Sequence, residues 1–290
     1  MTMKPQTIGD IVVSKLIEDI HPFDTATGLP DADSAIFAAN REWLAPHLYD
    51  FAADTLLLSF HTFIVRTPRH TILVDTCIGN DKERPWSEIW HRRHGPYLDQ
   101  MVAMGVAPEE VDYVMCTHLH ADHVGWNTRL LDGRWVPTFP NAKYIFSKLD
   151  YDHYAGSDPD DHSHSAFRDS VLPIVEAGQA VMIGNDFAID ETVTILPTPG
   201  HTPGHYCVRL RSNGREAILT GDLMHFGVQV GRPDWSSTFC VDRVASAKTR
   251  IRFVDTYAES GILIMPAHFP GPTCGHIVGD GGGTRFLLAE

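Results

Sequence analysis

The chain has 290 residues, 43% of them hydrophobic, 21% charged and 10% aromatic, a composition that excludes collagen-like repeats, coiled coils and long disorder. Lys and Arg number 23 against 37 Asp and Glu, a formal charge of −14 that leaves no broad basic surface for nucleic acid or an anionic membrane. No stretch approaches the roughly 18 apolar residues of a spanning helix, and no basic-then-apolar leader opens the sequence, so a cytoplasmic protein is expected.

In chain order, β-branched runs bounded by Gly, Pro or Asn predict strands at 8–17, 56–66, 71–75, 112–117, 143–147, 192–197, 205–211, 216–222 and 261–266. The second and third form a hairpin closed at Pro68-Arg69-His70. Helices are expected at 35–44, 88–104, 166–177 and 242–259, the last with an apolar stripe of Val244, Ala247, Ile251, Val254 and Ala258. Strand pairs followed by a helix occur in both halves. The expected fold is therefore of the α/β (α+β) class, a four-layer αββα sandwich built as one domain over 1–290.

Between these elements, segments 21–34, 76–87 and 223–241 read as loops of the kind that rim a site. The acidic stretch 157–162 reads as a solvated loop and the glycine run 279–283 as a flexible turn without the Lys-Ser/Thr of a phosphate loop. Cys77, Cys116, Cys207, Cys240 and Cys274 include no C-x-x-C pair and are expected to be free thiols, with Cys77, Cys116 and Cys274 as small buried residues.

The chemistry sits among the 17 histidines. At the end of the 112–117 strand runs His118-Leu119-His120-Ala121-Asp122-His123, an H-x-H-x-D-H sequence. Alternate residues of an extended segment point the same way, so His118 and His120 can share one metal while the chain, turning into a helix, aims Asp122 and His123 at a second. Three more candidate ligands follow, each at a predicted strand end: His201, Asp222 and His268. Five histidines and two carboxylates suit two zinc-like ions. The decoy His162-Ser163-His164 lacks a following Asp-His and reads as structural.

This constellation resembles the metallo-β-lactamase superfamily of metallohydrolases. The resemblance implies one metal on His118, His120 and His201, another on Asp122, His123 and His268, and Asp222 between them, with Asp75 orienting the histidine run and His205 supporting the His201 loop. It implies two zinc ions, with Mn, Co or Fe as substitutes. It further implies hydrolysis by a metal-bridging hydroxide, with Asp122 or Asp222 passing a proton to the leaving group.

Within the superfamily, Asp222 stands where two-zinc β-lactamases use Cys, and His120 departs from the H-x-E-x-D run of the diiron oxidoreductases. Nucleic-acid-processing members carry basic surfaces or added domains, and glyoxalase-II-like thioesterases end in a helical domain, neither of which this sequence provides. The remaining likeness is to quorum-quenching lactonases and methyl-parathion-hydrolase-like enzymes, carried by Cys77-Ile78-Gly79-Asn80-Asp81, Gly221-Asp222-Leu223-Met224-His225 and Ala267-His268-Phe269-Pro270-Gly271. The lactonases place a substrate-touching tyrosine three residues past the bridging aspartate. Here it is His225, which leans the expectation from lactones toward aryl esters or phosphotriesters and casts His225 as a substrate-facing catalytic residue.

The expected partner is an apolar small molecule, lined by two or three of Trp86, Trp90, Tyr97, Trp126, Phe226, Trp235 and Phe269, and a homodimer is compatible with the likeness. The competing readings are a non-catalytic metal-binding protein of the same fold and another hydrolase of the superfamily, such as a thioesterase. Ser/His/Asp catalysis is disfavoured because no G-x-S-x-G elbow occurs.

Overall fold

The computed structural model describes residues 3–158 and 162–289. The chain divides into two compact units, one of Pro5–Glu18 with Phe60–Phe187, the other of the residues up to Lys4, Asp19–Ser59 and those from Ala188 onward. The class is mixed α/β with two principal sheets, as the sequence predicts.

The first sheet contains β1 (Gln6–Ile8), β2 (Ile11–Asp24), β3 (Tyr49–Asp50), β4 (Thr55–Arg66), β5 (Thr71–Val74), β6 (Tyr113–Met115), β9 (Lys143–Ser147) and β10 (Ala180–Ile183), in the order β1-β2-β4-β5-β6-β9-β10 with β3 beside β4. A small hairpin, β7 (Thr128–Leu131) and β8 (Arg134–Pro137), lies apart from it. In the first unit β5, β6, β9 and β10 are parallel, with Val74 opposite Met115 and Met115 opposite Ile145. Parallel neighbours end on the same side, so Asp75, one residue past β5, and Thr117, two past β6, meet there.

The predicted strand 8–17 conceals a tight turn. Ile8 pairs with Ile11 across Gly9-Asp10, where Gly9 takes φ 60°, and β2 then runs on to Asp24 through part of the expected loop 21–34. The predicted helix 88–104 shrinks to Tyr97–Ala103, because Pro96 starts it and Arg92, at φ 49°, cannot be helical. Tyr97 and Met101 then join Val114, Phe139, Tyr144 and Phe146 in the core of this unit. Pro159, Asp160 and Asp161, in the predicted acidic loop, lie outside the described residues, whereas His162 opens the helix His162–Ala166.

The second unit holds the other sheet, β11 (Val193–Pro197), β12 (Tyr206–Ser212), β13 (Arg215–Leu219), β14 (Leu263–Met265), β15 (Gly275–Asp280) and β16 (Gly283–Leu288), paired in that order. β13 and β14 are parallel with Leu219 opposite Met265, and Thr220 N donates to Met265 O at 3.1 Å. This register carries Asp222 and His268 off the same end of the sheet. The expected glycine turn closes the β15–β16 hairpin, whose strands the sequence reading missed.

Helix Arg243–Tyr257 begins at the expected place, capped by Asp242, which accepts the Ala245 amide at 2.9 Å. Its buried face is rotated from the predicted stripe and shares only Val254 with it. Ser246, Thr249, Arg250, Phe253 and Val254 face inward, whereas Val244 is 65% exposed. Arg250 accounts for the rotation: its guanidinium donates to the carbonyls of Leu223, Pro233 and Trp235 and to Ser236 Oγ, bonds available only on the inner side. No helix among the described residues is long and apolar enough to cross a membrane. All five cysteines are buried, and none is disulfide-bonded.

Candidate metal centre

In the first unit the histidine run is held by Asp75. The Asp75 carboxylate accepts Thr117 N at 2.8 Å, the Thr117 hydroxyl at 2.9 Å and His123 Nδ1 at 2.9 Å. A hydroxyl has one proton, and Thr117 gives it to Asp75. His118 Nδ1, 3.1 Å from that hydroxyl, must therefore be the donor to it. Both His118 and His123 thus carry a proton on Nδ1 and turn Nε2 inward. His118 Nε2 lies 3.0 Å from His120 Nδ1, and His123 Nε2 lies 3.6 Å from Asp122 Oδ2. The orienting role expected of Asp75 is what this geometry performs.

The chain leaves the run at Gly125, and a side chain there is impossible, since a Cβ would stand 1.9 Å from Ile78 O. Its amide donates to Cys77 O at 2.8 Å, docking the end of the run on the segment after Asp75.

In the second unit three imidazoles surround Asp222. His201 Nε2 and His225 Nε2 each lie 3.2 Å from Oδ2, and His268 Nε2 lies 3.0 Å from Oδ1. His268 Nδ1 donates to Ser59 O at 3.2 Å, and His201 Nδ1 faces Cys240 Sγ at 3.5 Å. The outer nitrogen of His268 must be protonated, because a carbonyl only accepts. Its inner nitrogen points at a carboxylate oxygen at 3.0 Å, so a proton or a cation must lie between the two, and a divalent metal can serve both. The donor chemistry fits a divalent metal.

His205 braces the loop that carries His201, as expected: Thr198 N donates to His205 O at 2.9 Å and His205 Nδ1 to Thr198 O at 3.1 Å. It does not join the histidines around Asp222 oxygens; its Nε2 accepts the Asp222 amide at 2.9 Å, while Nδ1 faces Thr198 Oγ1 at 2.8 Å. It thus steers the Asp222 carboxylate as well as bracing the His201 loop.

His225 is fully buried, stacked on His268 with ring centroids 5.8 Å apart and edged by Phe239 at 5.6 Å. Its amide donates to Gln229 Oε1 at 2.7 Å, and Gln229 Nε2 donates to Trp235 O. Neither ring nitrogen makes a hydrogen bond among the described residues. Burial pushes its pKa below the ordinary imidazole value, a shift the Asp222 carboxylate opposes.

The groups able to hold a metal among the described residues are therefore His118, His120, Asp122 and His123 in the first unit and His201, Asp222 and His268 in the second. His164 instead bonds Ser157 Oγ at 3.0 Å, in keeping with a structural role. Of the aromatic candidates, Tyr97 and Trp126 stack at 5.0 Å within the core and Trp86 is exposed. Sequence reasoning missed Gln229, Cys240 and Arg250, single polar residues that no motif distinguishes.

A mixed α/β protein with two sheets and buried His/Asp donors at their strand ends has the form of a metallohydrolase. The sequence pattern described as "Metallo-beta-lactamase superfamily" matches residues 60–241, more than half of the chain, and the chain belongs to that superfamily. It is 30% identical over 185 residues to the N-acyl homoserine lactonase AttM of Agrobacterium fabrum (strain C58 / ATCC 33970), across 60% of this chain and 64% of that protein. It is 28% identical over 116 residues to an N-acyl homoserine lactonase of Bacillus sp, across 40% of this chain and 39% of that one. The chain thus spans 64% and 39% of the lengths of these two curated relatives, less than two thirds of each. Among solved structures, the hydrolase AbOPH in the beta lactamase superfamily superposes with a TM-score of 0.79 at 23% identity, covering 100% of this chain and 98% of that one. AidC, a dizinc quorum-quenching lactonase, does so with 0.78 at 19%, also covering 100% and 98%. These two likenesses concern the fold.

Proposed function

We propose that the protein is a dinuclear metallohydrolase that cleaves an ester or lactone of an apolar small molecule in the cytoplasm. By the resemblance read from the sequence, one metal would be held by His118, His120 and His201 and the other by Asp122, His123 and His268, with Asp222 shared. The observation that carries this reading is the set of imidazoles whose outer nitrogens are committed as donors to Asp75, Thr117 and Ser59, leaving inner nitrogens for a cation. When bound, two divalent ions would supply a water nucleophile near neutral pH and polarise the acyl oxygen. For their part, Asp75 and His205 hold the donors in direction, Asp122 or Asp222 can carry the proton to the leaving oxygen, and His225 can donate to the oxygen that gains charge.

The lactonase names of the relatives favour a lactone; histidine at position 225 favours aryl esters or phosphotriesters as additional substrates. The test is metal analysis of the purified chain followed by a panel of N-acyl lactones, aryl esters, phosphotriesters and β-lactams on the same preparation. About two metals per chain with turnover of a lactone or aryl ester and no β-lactam cleavage is expected. One metal or fewer after zinc supplementation, or two metals with no ester, lactone or phosphotriester turned over, would overturn it.

A further inference from the structure

The first unit buries a carboxylate that the proposed chemistry does not use. Glu18 lies on β2 with its side chain 1% exposed. Its Oε2 accepts Ile78 N at 2.7 Å, and Oε1 accepts Trp126 Nε1 at 2.7 Å and Gly79 N at 3.3 Å. Arg93 NH1 stands 3.8 Å from Oε2. Burial raises the carboxyl pKa, and Arg93, the two amides and the indole oppose that rise. A buried carboxylate persists when its oxygens are satisfied, and here two separate loops satisfy them.

Both loops adjoin candidate metal ligands. The backbone of 75–79 is left-handed at Asp75 (φ 59°), Cys77 (φ 50°) and Gly79 (φ 81°). Two of these residues carry side chains, which tolerate that region only where the surroundings impose it. The turn is docked on 123–126: Thr76 N donates to His123 O, Gly125 N to Cys77 O and Trp126 N to Thr76 O, each at 2.8 Å. Asp75 heads the same turn and holds His123 Nδ1. Glu18 grips the far end of the turn and, through the indole, the residue three past His123.

We propose that Glu18 is a positioning residue for the metal centre: by holding Ile78, Gly79 and Trp126 in one frame it fixes the strained turn that sets Asp75 against His123, and so aims the His123 lone pair. The inference rests on the reading of His123 as a metal ligand. Glu18→Gln keeps the shape but puts an amide donor against an N–H, so at least one of the three bonds is lost.

The experiment titrates zinc, in competition with a chromophoric chelator, into metal-free parent, Glu18→Gln, Glu18→Asp and the core control Ile174→Ala, with the melting temperature of each recorded. Glu18→Gln should bind one of its two zinc ions about ten- to a hundredfold more weakly, the effect expected when an outer partner of a ligand is lost. Ile174→Ala should melt earlier with both affinities unchanged, and Glu18→Asp, which keeps the charge, should recover part of the loss. Parent-like affinities in Glu18→Gln, or an equal weakening in Ile174→Ala, would overturn the proposal. Should Glu18→Gln fail to fold, Glu18→Asp is judged by the same criteria against the control. A parent chain that binds fewer than two zinc ions would overturn the dinuclear reading, and the proposal with it.

Discussion

The backbone N–H of Asp222 donates to His205 Nε2 at 2.9 Å, so an imidazole outside the candidate ligand set decides how the Asp222 carboxylate is presented. Asp222 sits in a short turn at φ −92° and ψ 24°, outside regular helix geometry, and this bond holds it there. His205→Phe fills the space without an acceptor. Leaving that buried amide unpaired should cost about 1–3 kcal/mol of stability. Metal affinity should fall roughly ten- to a hundredfold. Denaturant unfolding and a zinc titration on the same variant check both effects.

Asp222→Ala removes the carboxylate that three imidazoles surround. Loss of the shared ligand should release at least one metal equivalent and lower kcat by about a thousandfold or more in a chain that still folds. Metal content, circular dichroism and kcat measured together check this; near-normal turnover in a folded variant would rule out the shared-ligand role.

Chelation should destabilise the protein. Without a metal, His268 Nε2 and the Asp222 oxygen, 3.0 Å apart in a buried site, are reconciled only by a proton between them, whereas a divalent cation satisfies both and adds binding energy to the folded state alone. The melting temperature is expected to drop on treatment with a chelator and to recover with added zinc in a concentration-dependent way. A melting temperature indifferent to both would count against a bound metal.

A buried cation away from the metal centre should set part of the pH dependence. Lys82 Nζ is buried between Thr128 Oγ1, at 2.6 Å, and the Asp169 carbonyl, at 3.2 Å, with Arg84 taking the Asp169 carboxylate. Burial pulls the Lys82 pKa down to about 7, with Asp169 opposing. The unfolded chain keeps this lysine protonated to about pH 10.4. Between those values the unfolded state binds the extra proton, so this group's contribution to stability rises with pH above 7 and is lost as pH falls toward 7. The slope can reach about 1.4 kcal/mol per pH unit. Unfolding of the parent and Lys82→Met at pH 7, 8 and 9 should show the advantage of the Met variant shrinking as pH increases; a constant difference would contradict the shift.

The ligand set was legible because it combines a dense local run, His118 to His123, with residues that follow strands whose β-branched sequences mark their ends. Parallel register then does the rest, since Leu219 opposite Met265 carries Asp222 and His268 to one end of a sheet. What escaped depends on partners distant in sequence. Glu18 is 60 residues from the Ile78 amide it accepts, and Arg250 reads as one more charge on a helix surface until the carbonyls of Leu223, Pro233 and Trp235 turn that face inward. The helix predicted over 88–104 failed for a local reason that was visible, Gly95-Pro96, which outweighed the apolar spacing.

His225 carries the remaining question about chemistry. Its Nε2 is as close to Asp222 Oδ2, at 3.2 Å, as that of His201, yet it lies outside the groups of candidate ligands, and Nδ1 has no hydrogen-bond partner among the described residues. Gln229 fixes the backbone at both His225 and Phe226, so the ring is held where it stands rather than free to swing. A held imidazole beside the reacting carboxylate, with a proton to give, fits donation to an oxygen that gains charge only as the bond breaks. His225→Ala should therefore retain both metals and lower kcat by roughly ten- to a thousandfold, with little change in KM. His225→Gln, which restores a donor of similar reach, should recover part of that loss. If His225 were instead a ligand, the Ala variant would lose a metal equivalent, and if it served only to pack against His268 and Phe239, stability would fall while kcat of the folded fraction stayed normal. Metal analysis, unfolding and steady-state kinetics on the two variants separate these three outcomes.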